Sequence, residues 1–306
     1  MPTNALGTEK PWLRGLALAS VAVLTLTACG GENGEEETES ADAEAEVDTG
    51  VSVDAEVETI SEGTLQVCSD VPYPPFEYYD TDGNVVGFDI DVASAIASAL
   101  DLELEIIESS WDGLESGVSL NAQDCDLTIS GMTITEERSG NMLFSDPYLD
   151  DNLGLLATAD SGIESTDDLD GVTVGVQTAT TGDVYATEEL GLDVVQYEDS
   201  GLMLQGLEAG QVEALIGNIS IIGYQTGEDE QFVFAEEIDT GEQLGAAAEL
   251  ENEQLIDAVN EILAELEASG ELEEIEQAWF ESETPEEGDT EDEDADEDGD
   301  DAEDDA

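Results

Sequence analysis

"CDLTISGMTITEERSGNMLFSDPYLD", residues 125–150, opens on a short apolar run of strand length, breaks at Gly131 and then presents Arg138. The chain has 306 residues but only three lysines and arginines, against 81 aspartates and glutamates, for a formal charge of −78. The other two cations, Lys10 and Arg14, lie near the N-terminus. An ordinary surface salt bridge, to the adjacent Glu136 or Glu137, would be the simplest use of Arg138. Dozens of other carboxylates do without a partner, so such a pair has no special claim on this one guanidinium. A planar guanidinium meets a carboxylate through two parallel hydrogen bonds, which a lysine cannot reproduce.

The alternation seen in that stretch continues on both sides of it. Residues 64–70, 102–108, 126–130, 153–158, 172–177, 194–198, 213–218 and 232–236 have strand length and apolar character. Between the first two, Val92, Ile96 and Leu100 share one helical face. Leu255, Val259, Ile262, Leu263 and Leu266 form a longer stripe, and Gly270 is a helix stop. Strands alternating with helices predict parallel α/β layers, with a ligand beyond the carboxyl ends of the strands.

The acidic excess is concentrated at the ends. Residues 31–58 and 281–306 are mostly Asp, Glu and small residues, which predicts extended, solvated chain. With 40% hydrophobic residues the remainder is rich enough for a core, and the foldable part is expected within residues 63–281. Lys10 and Arg14 precede an apolar run at 15–27 that is too short for a bilayer span of about 20 residues. "LTAC", residues 26–29, follows at once and resembles a bacterial lipobox, which implies a signal peptide at 1–28 and lipidation of Cys29. Cleavage there removes Glu9, Lys10 and Arg14, so 80 of the 81 carboxylates remain and Arg138 becomes the sole cation. Residues 29–62 then read as an acidic disordered tether and 282–306 as a disordered tail.

Several chemistries are excluded. There is no histidine, so histidine-based acid–base and nucleophile sets are absent. Nucleic acid and anionic lipid surfaces, which are bound through Lys and Arg, do not suit this charge. "GNVVGF" lacks the lysine and the context of a phosphate loop, and "DTDGN", residues 80–84, reads as a tight turn. Residues 294–305 space their aspartates like a calcium-binding loop but have Asp305 in twelfth position and no flanking apolar helices. Neither a specific metal site nor a cofactor is expected.

Four segments, in order, resemble the polar amino-acid family of extracytoplasmic solute-binding proteins that serve ABC importers. They are "VCSDVPYPPFEYYDTDGNVVGFDIDVASAIASAL", the stretch at 125–150, "LDGVTVGVQTATTGDVYA" and "ASGELEEIEQAWF". The resemblance covers nearly all of 63–281. It implies a two-lobed α/β fold of the type II periplasmic-binding-protein kind with two short hinge crossovers. Lobe one would be 63–151 with 245–281 and lobe two 152–244, closing on a ligand. It also implies lipid anchoring on the extracytoplasmic face of the cell membrane, delivery of a free amino acid to a membrane permease, a monomer, and no enzymatic activity. The alternatives are a lyase on the same fold or a sensor ectodomain.

By the same resemblance, Arg138 binds the ligand α-carboxylate, while Gly131 offers backbone and Thr133 its hydroxyl to the ammonium. Tyr73 and Trp111 match aromatic positions that sandwich the ligand side chain, the alternative being core or rim packing. Thr181, with Gln177 and Thr180, would complete the carboxylate site from lobe two, the alternative being simple helix capping. The aspartate that usually pairs with the ammonium is replaced by Asn218, and Asp70 is a candidate to compensate. With Arg138 committed, no cation remains for an acidic side chain. Glutamine, histidine or a basic amino acid are therefore the candidate ligands.

Cys68 and Cys125 remain after lipidation of Cys29, in an oxidising exterior that favours a disulfide. If Asp70 and Gly131 mark level strand ends, however, the two cysteines are offset by four residues at roughly 3.3 Å each, beyond the ~7 Å Cα limit. Two buried thiols are the expectation.

Overall fold

Two five-stranded sheets, each with four strands of one sense and one reversed strand, organise the computed structural model, which describes residues 49–226 and 230–280. In the first sheet Glu103–Glu108, Thr64–Ser69 and Leu127–Thr128 run parallel, and Ala247–Ala248 runs antiparallel to both Leu127–Thr128 and Leu143–Phe144. In the second, Val194–Tyr197, Val174–Gln177 and Ala214–Asn218 run parallel, and Leu153–Thr158 runs antiparallel to both Ala214–Asn218 and Phe232–Ile238.

The reversed strands correct the expectation of wholly parallel layers, and connectivity explains them. Leu149–Asp150 and Gln243–Leu244 pair antiparallel, with Gln243 opposite Asp150 and Leu244 opposite Leu149, and form the two crossings between the sheets. Leu153–Thr158 begins just after the first crossing and Ala247–Ala248 just after the second. The parallel strands run towards the cleft; a strand that arrives from the other lobe starts at the cleft and runs away from it. Each crossing therefore installs one strand of opposite sense.

The first sheet is covered on one side by the helices Phe88–Ala99, Glu253–Ser269 and Glu271–Phe280. Val92, Ile96, Leu255, Val259, Ile262 and Leu266 are fully buried there, as the helical stripes predict. Asn252 caps Glu253–Ser269 by accepting the Leu255 N–H, and Gly270 ends it with φ 89°, its N–H donating to Leu266 O and Glu267 O. "DTDGN" is the expected turn: Asp80 Oδ1 accepts N–H groups from Asp82 and Asn84 between the short strands Tyr78–Tyr79 and Val85–Val86.

Two expectations are corrected here. Val51, Val53 and Val57, inside the stretch expected to be a disordered tether, pack against the first core, and Val53 N–H donates to Ala99 O at 3.2 Å. Their spacing buries alternate residues while the acids between them stay wet, a period-two pattern that acidic composition hides. The signal peptide, Cys29, residues 29–48 of the tether, the acidic tail and the 294–305 loop lie outside the described residues.

The cysteines form a disulfide, with Cα atoms 5.7 Å apart. Cys68 lies opposite Thr128, so the register offset to Cys125 is three residues. The chain is not extended over those three: residues 122–126 are turn and bend, Gln123 has φ 60°, and this stretch descends from the helix Val118–Asn121 onto the sheet face. The separation therefore falls within reach of a bridge. Leu114, Leu120, Met132 and Met142 pack around it.

Candidate functional site

The loops at the carboxyl ends of the parallel strands meet between the two sheets, and the sequence-predicted residues sit there. Asp70 directly follows Thr64–Ser69, and its N–H donates to Ser130 Oγ at 3.0 Å. Gly131 follows Leu127–Thr128 by three residues and has φ 53°. A Cβ at Gly131 would lie 3.0 Å from Tyr73 and 3.2 Å from Phe76, so both conformation and space require glycine. Tyr73 stacks on Phe76 with ring centres 5.9 Å apart, and beneath them the Gly131 N–H donates to the buried Asp89 Oδ2 at 2.6 Å.

Arg138 opens the short 3-10 turn Arg138–Gly140 and is 5% exposed. Its Nη1 donates to Thr133 O at 2.9 Å and its Nη2 to Ala179 O at 3.2 Å, so the guanidinium joins a lobe-one loop to a lobe-two loop. Trp111, the first residue of the helix Trp111–Glu115, donates its Nε1–H to the same Ala179 O at 3.3 Å. The Arg138 guanidinium lies 5.1 Å from the centre of the Trp111 ring, a cation–π distance. Burial pulls the Arg138 pKa down while the charges of Glu115 and Glu242 push it up, and a guanidinium stays charged in either case.

Lobe two contributes the loop after Val174–Gln177 and the end of Ala214–Asn218. Thr180 is the N-cap of Thr181–Val184: its hydroxyl donates to Gln177 O at 2.8 Å and accepts the Asp183 N–H at 3.3 Å. Both bonds are local, as in the capping alternative, and Gln177 takes part through its backbone carbonyl. Thr181 is different, because its hydroxyl points across the cleft and donates to Glu242 Oε2 at 2.7 Å. The same oxygen accepts the Thr133 hydroxyl at 3.1 Å and, at a long 3.5 Å, the Asn218 amide. Asn218 also donates to Asp151 O at 3.0 Å.

Arg138, Thr180, Thr181 and Glu242 line a cavity of about 490 Å³ together with Glu115 and Tyr185. A second group of carboxylates surrounds Asp70. Asp70 is pushed up to about 6, mainly by burial and then by the charges of Asp199 and Asp112. Asp199 belongs to lobe two, where it caps Ser200–Glu208 by accepting the Leu202 N–H at 2.7 Å. The cleft is thus cationic at Arg138 and anionic at both Glu242 and Asp70.

Glu242, Asp199, Asp151 and Ala179 were not singled out in the sequence. In a chain with 81 carboxylates an acidic residue carries no local signal, and Ala179 acts through its backbone.

The sequence pattern of the bacterial extracellular solute-binding proteins, family 3, matches residues 65–282. A probable histidine-binding protein of Neisseria gonorrhoeae is 30% identical over 283 residues, covering 90% of this chain and 97% of its own length. The arginine-binding extracellular protein ArtP of Bacillus subtilis is 32% identical over 280 residues, covering 90% and 99%. Among solved structures, a mutant of ArgBP from T. maritima superposes with a TM-score of 0.67 at 35% identity, over 72% of this chain and 96% of that one. These are binding proteins by name, of the two-lobed fold described above. The chain belongs to family 3 of the bacterial extracellular solute-binding proteins.

Proposed function

We propose that the chain captures a free amino acid with a polar-neutral or basic side chain by closing its two lobes, and delivers it to the membrane permease of an ABC importer. It works as a monomer on the extracytoplasmic face of the cell membrane, anchored by a lipid on Cys29. Its solute-binding domain is residues 63–281, with lobe one at 63–151 and 245–281 and lobe two at 152–244.

The observation that carries this proposal is the junction at Arg138. A single guanidinium, buried between a lobe-one loop and a lobe-two loop, stands beside hydroxyls from both lobes. A carboxylate leaving water needs such a donor set. In this proposal the ligand carboxylate takes Arg138, and Tyr73 and Trp111 flank its side chain. Gly131, Thr133, Thr181 and Asn218 surround the α-carbon end, with Gln177 and Thr180 shaping the lobe-two loop. Asp70, with Asp112 and Asp199 nearby, favours a cationic or neutral side chain and repels an acidic one.

Thermal-shift and calorimetric screening of the chain against the twenty amino acids at high salt tests this. A specific ligand at one hundred times its dissociation constant raises stability by about 2.7 kcal/mol. Arg138→Ala is expected to weaken that ligand by at least about 30-fold, the effect of leaving a buried carboxylate unpaired. Unchanged affinity in Arg138→Ala would refute the assignment.

A further inference from the structure

An amino acid buried between these lobes brings an ammonium that needs an anion, and Asn218 supplies only a dipole. We propose that Glu242, on the hinge, carries the countercharge for the ligand ammonium. This inference rests on the amino-acid-binding function proposed above.

Three donors from three separate segments converge on one oxygen of Glu242: Thr133 at 3.1 Å, Thr181 at 2.7 Å and Asn218 at 3.5 Å. Thr133 belongs to the loop that carries Gly131 and Arg138, Thr181 to the lobe-two loop and Asn218 to the end of the strand Ala214–Asn218. The carboxylate therefore lies where Thr133 and Asn218, both expected at the ammonium end of the ligand, meet Thr181 of the opposite lobe. Threonine hydroxyls both donate and accept, so on arrival of an ammonium they can turn to accept its N–H groups while Glu242 keeps its charge there.

The amide at position 218 fits this arrangement better than an acid would. An aspartate there would set a second anion against Glu242 inside a buried cleft, and like charges at that distance cannot both stay ionised. An amide instead donates to Glu242 and to Asp151 O. Asn218 and Glu242 thus act as one exchange, in which the negative charge has moved from the end of a lobe-two strand to the crossing segment.

Other acids near the cleft are committed elsewhere. Both oxygens of Asp151 are engaged by Ser220, through its N–H at 3.2 Å and its hydroxyl at 2.5 Å. Asp70 faces the charges of Asp199 and Asp112, which oppose its ionisation. Glu242 and Arg138 line the same cavity, so cation and anion face one space.

Its place on the crossing matters for closure. Glu242 immediately precedes Gln243–Leu244, its carbonyl accepts the Asp151 N–H at 3.0 Å, and Leu244 bridges to Thr133. A group near the axis about which two lobes rotate keeps its surroundings in the open state, so the anion is in place before the ligand arrives.

The test titrates the full chain calorimetrically with L-arginine, L-histidine and the tightest amino acid of the screen, each against its 2-hydroxy acid, which lacks the ammonium. Glu242→Gln keeps the shape of the side chain and one acceptor oxygen for the converging donors while removing the charge. It is expected to weaken the amino acid by at least about 30-fold and the 2-hydroxy acid by no more than about threefold. Adding Asn218→Asp to Glu242→Gln is expected to restore most of the lost affinity for the amino acid alone. The proposal is overturned if Glu242→Gln binds the amino acid within about threefold of the unsubstituted chain. Equal losses for both ligands overturn it too, because they make Glu242 a hinge support. A double variant that regains nothing refutes the exchange between the two positions. If the unsubstituted chain binds no amino acid, the proposed function fails first and this inference goes with it.

Discussion

The floor of the cleft rests on two carboxyl groups that the solvent does not reach. Asp89 holds the Gly131 N–H, while Glu77 Oε1 takes the Ser130 hydroxyl, whose oxygen in turn accepts the Asp70 N–H. Glu77 and Asp89 are fully buried, which favours the neutral form of each carboxyl. Burial pushes Asp89 up to about 7, and burial together with the Asp89 charge holds Glu77 well above the usual range. Because these folded-state values lie above the unfolded ones, the native chain holds the extra protons, and their stabilisation is lost as pH rises from about 4 through about 7. Each such group contributes a slope of up to ~1.4 kcal/mol per pH unit in that window. Urea unfolding at pH 4.5, 6.0 and 7.5 in concentrated salt is therefore expected to give stability that falls with pH, and Asp89→Asn, which cannot titrate, should flatten part of that fall. An unchanged slope in Asp89→Asn would place the protons elsewhere. Arg138 was legible in the sequence because it is nearly unique, whereas Asp89, Glu77 and Glu242 were hidden by the abundance of their own residue types.

Among the elements, the disulfide is the clearest case of a contact that strand periodicity misplaces. Register arithmetic treats both cysteines as strand residues, yet Cys125 lies in a bend ahead of Leu127–Thr128, and there the chain folds over the sheet instead of lying along it. The strand and helix segments themselves were legible, from Leu153–Thr158 to Glu253–Ser269, because each buries a continuous apolar run or stripe. The reversed strands were not, since sense depends on which side of the sheet the chain enters. Closing a loop with a sequence separation of 57 restricts the unfolded chain, and for that length loop entropy gives about 4 kcal/mol, with strain lowering what is realised. Cys68→Ser with Cys125→Ser is expected to lower the unfolding free energy by about 2–4 kcal/mol, measured by urea titration in the absence of reductant. A reductant should then shift the midpoint of the unsubstituted chain towards that of the double variant and leave the variant itself unmoved. A double variant as stable as the parent would mean that the surrounding packing of Leu114, Leu120, Met132 and Met142 holds this corner without the bridge.

At the scale of the whole molecule, 81 carboxylates against three cations make electrostatic repulsion a standing cost of compaction. The two lobes meet across a cleft that brings Asp70 towards Asp199, so repulsion acts on closure as well as on folding. Screening weakens both costs, since the Debye length shrinks from about 10 Å at 0.1 M salt to about 3 Å at 1 M. We expect the melting temperature at neutral pH to rise steeply as KCl increases to about 1 M and then to level off, because beyond that point exposed charges are already screened from one another. Salting-out of apolar surface would act differently: it keeps growing with concentration and is stronger for sulfate than for chloride at matched ionic strength. Melting curves in KCl and in potassium sulfate, compared at equal ionic strength, separate the two. Coincident curves with a plateau support screening as the main stabilising effect. A steady rise that is larger in sulfate, or a melting temperature insensitive to salt, would show that this charge does not govern the stability of the fold.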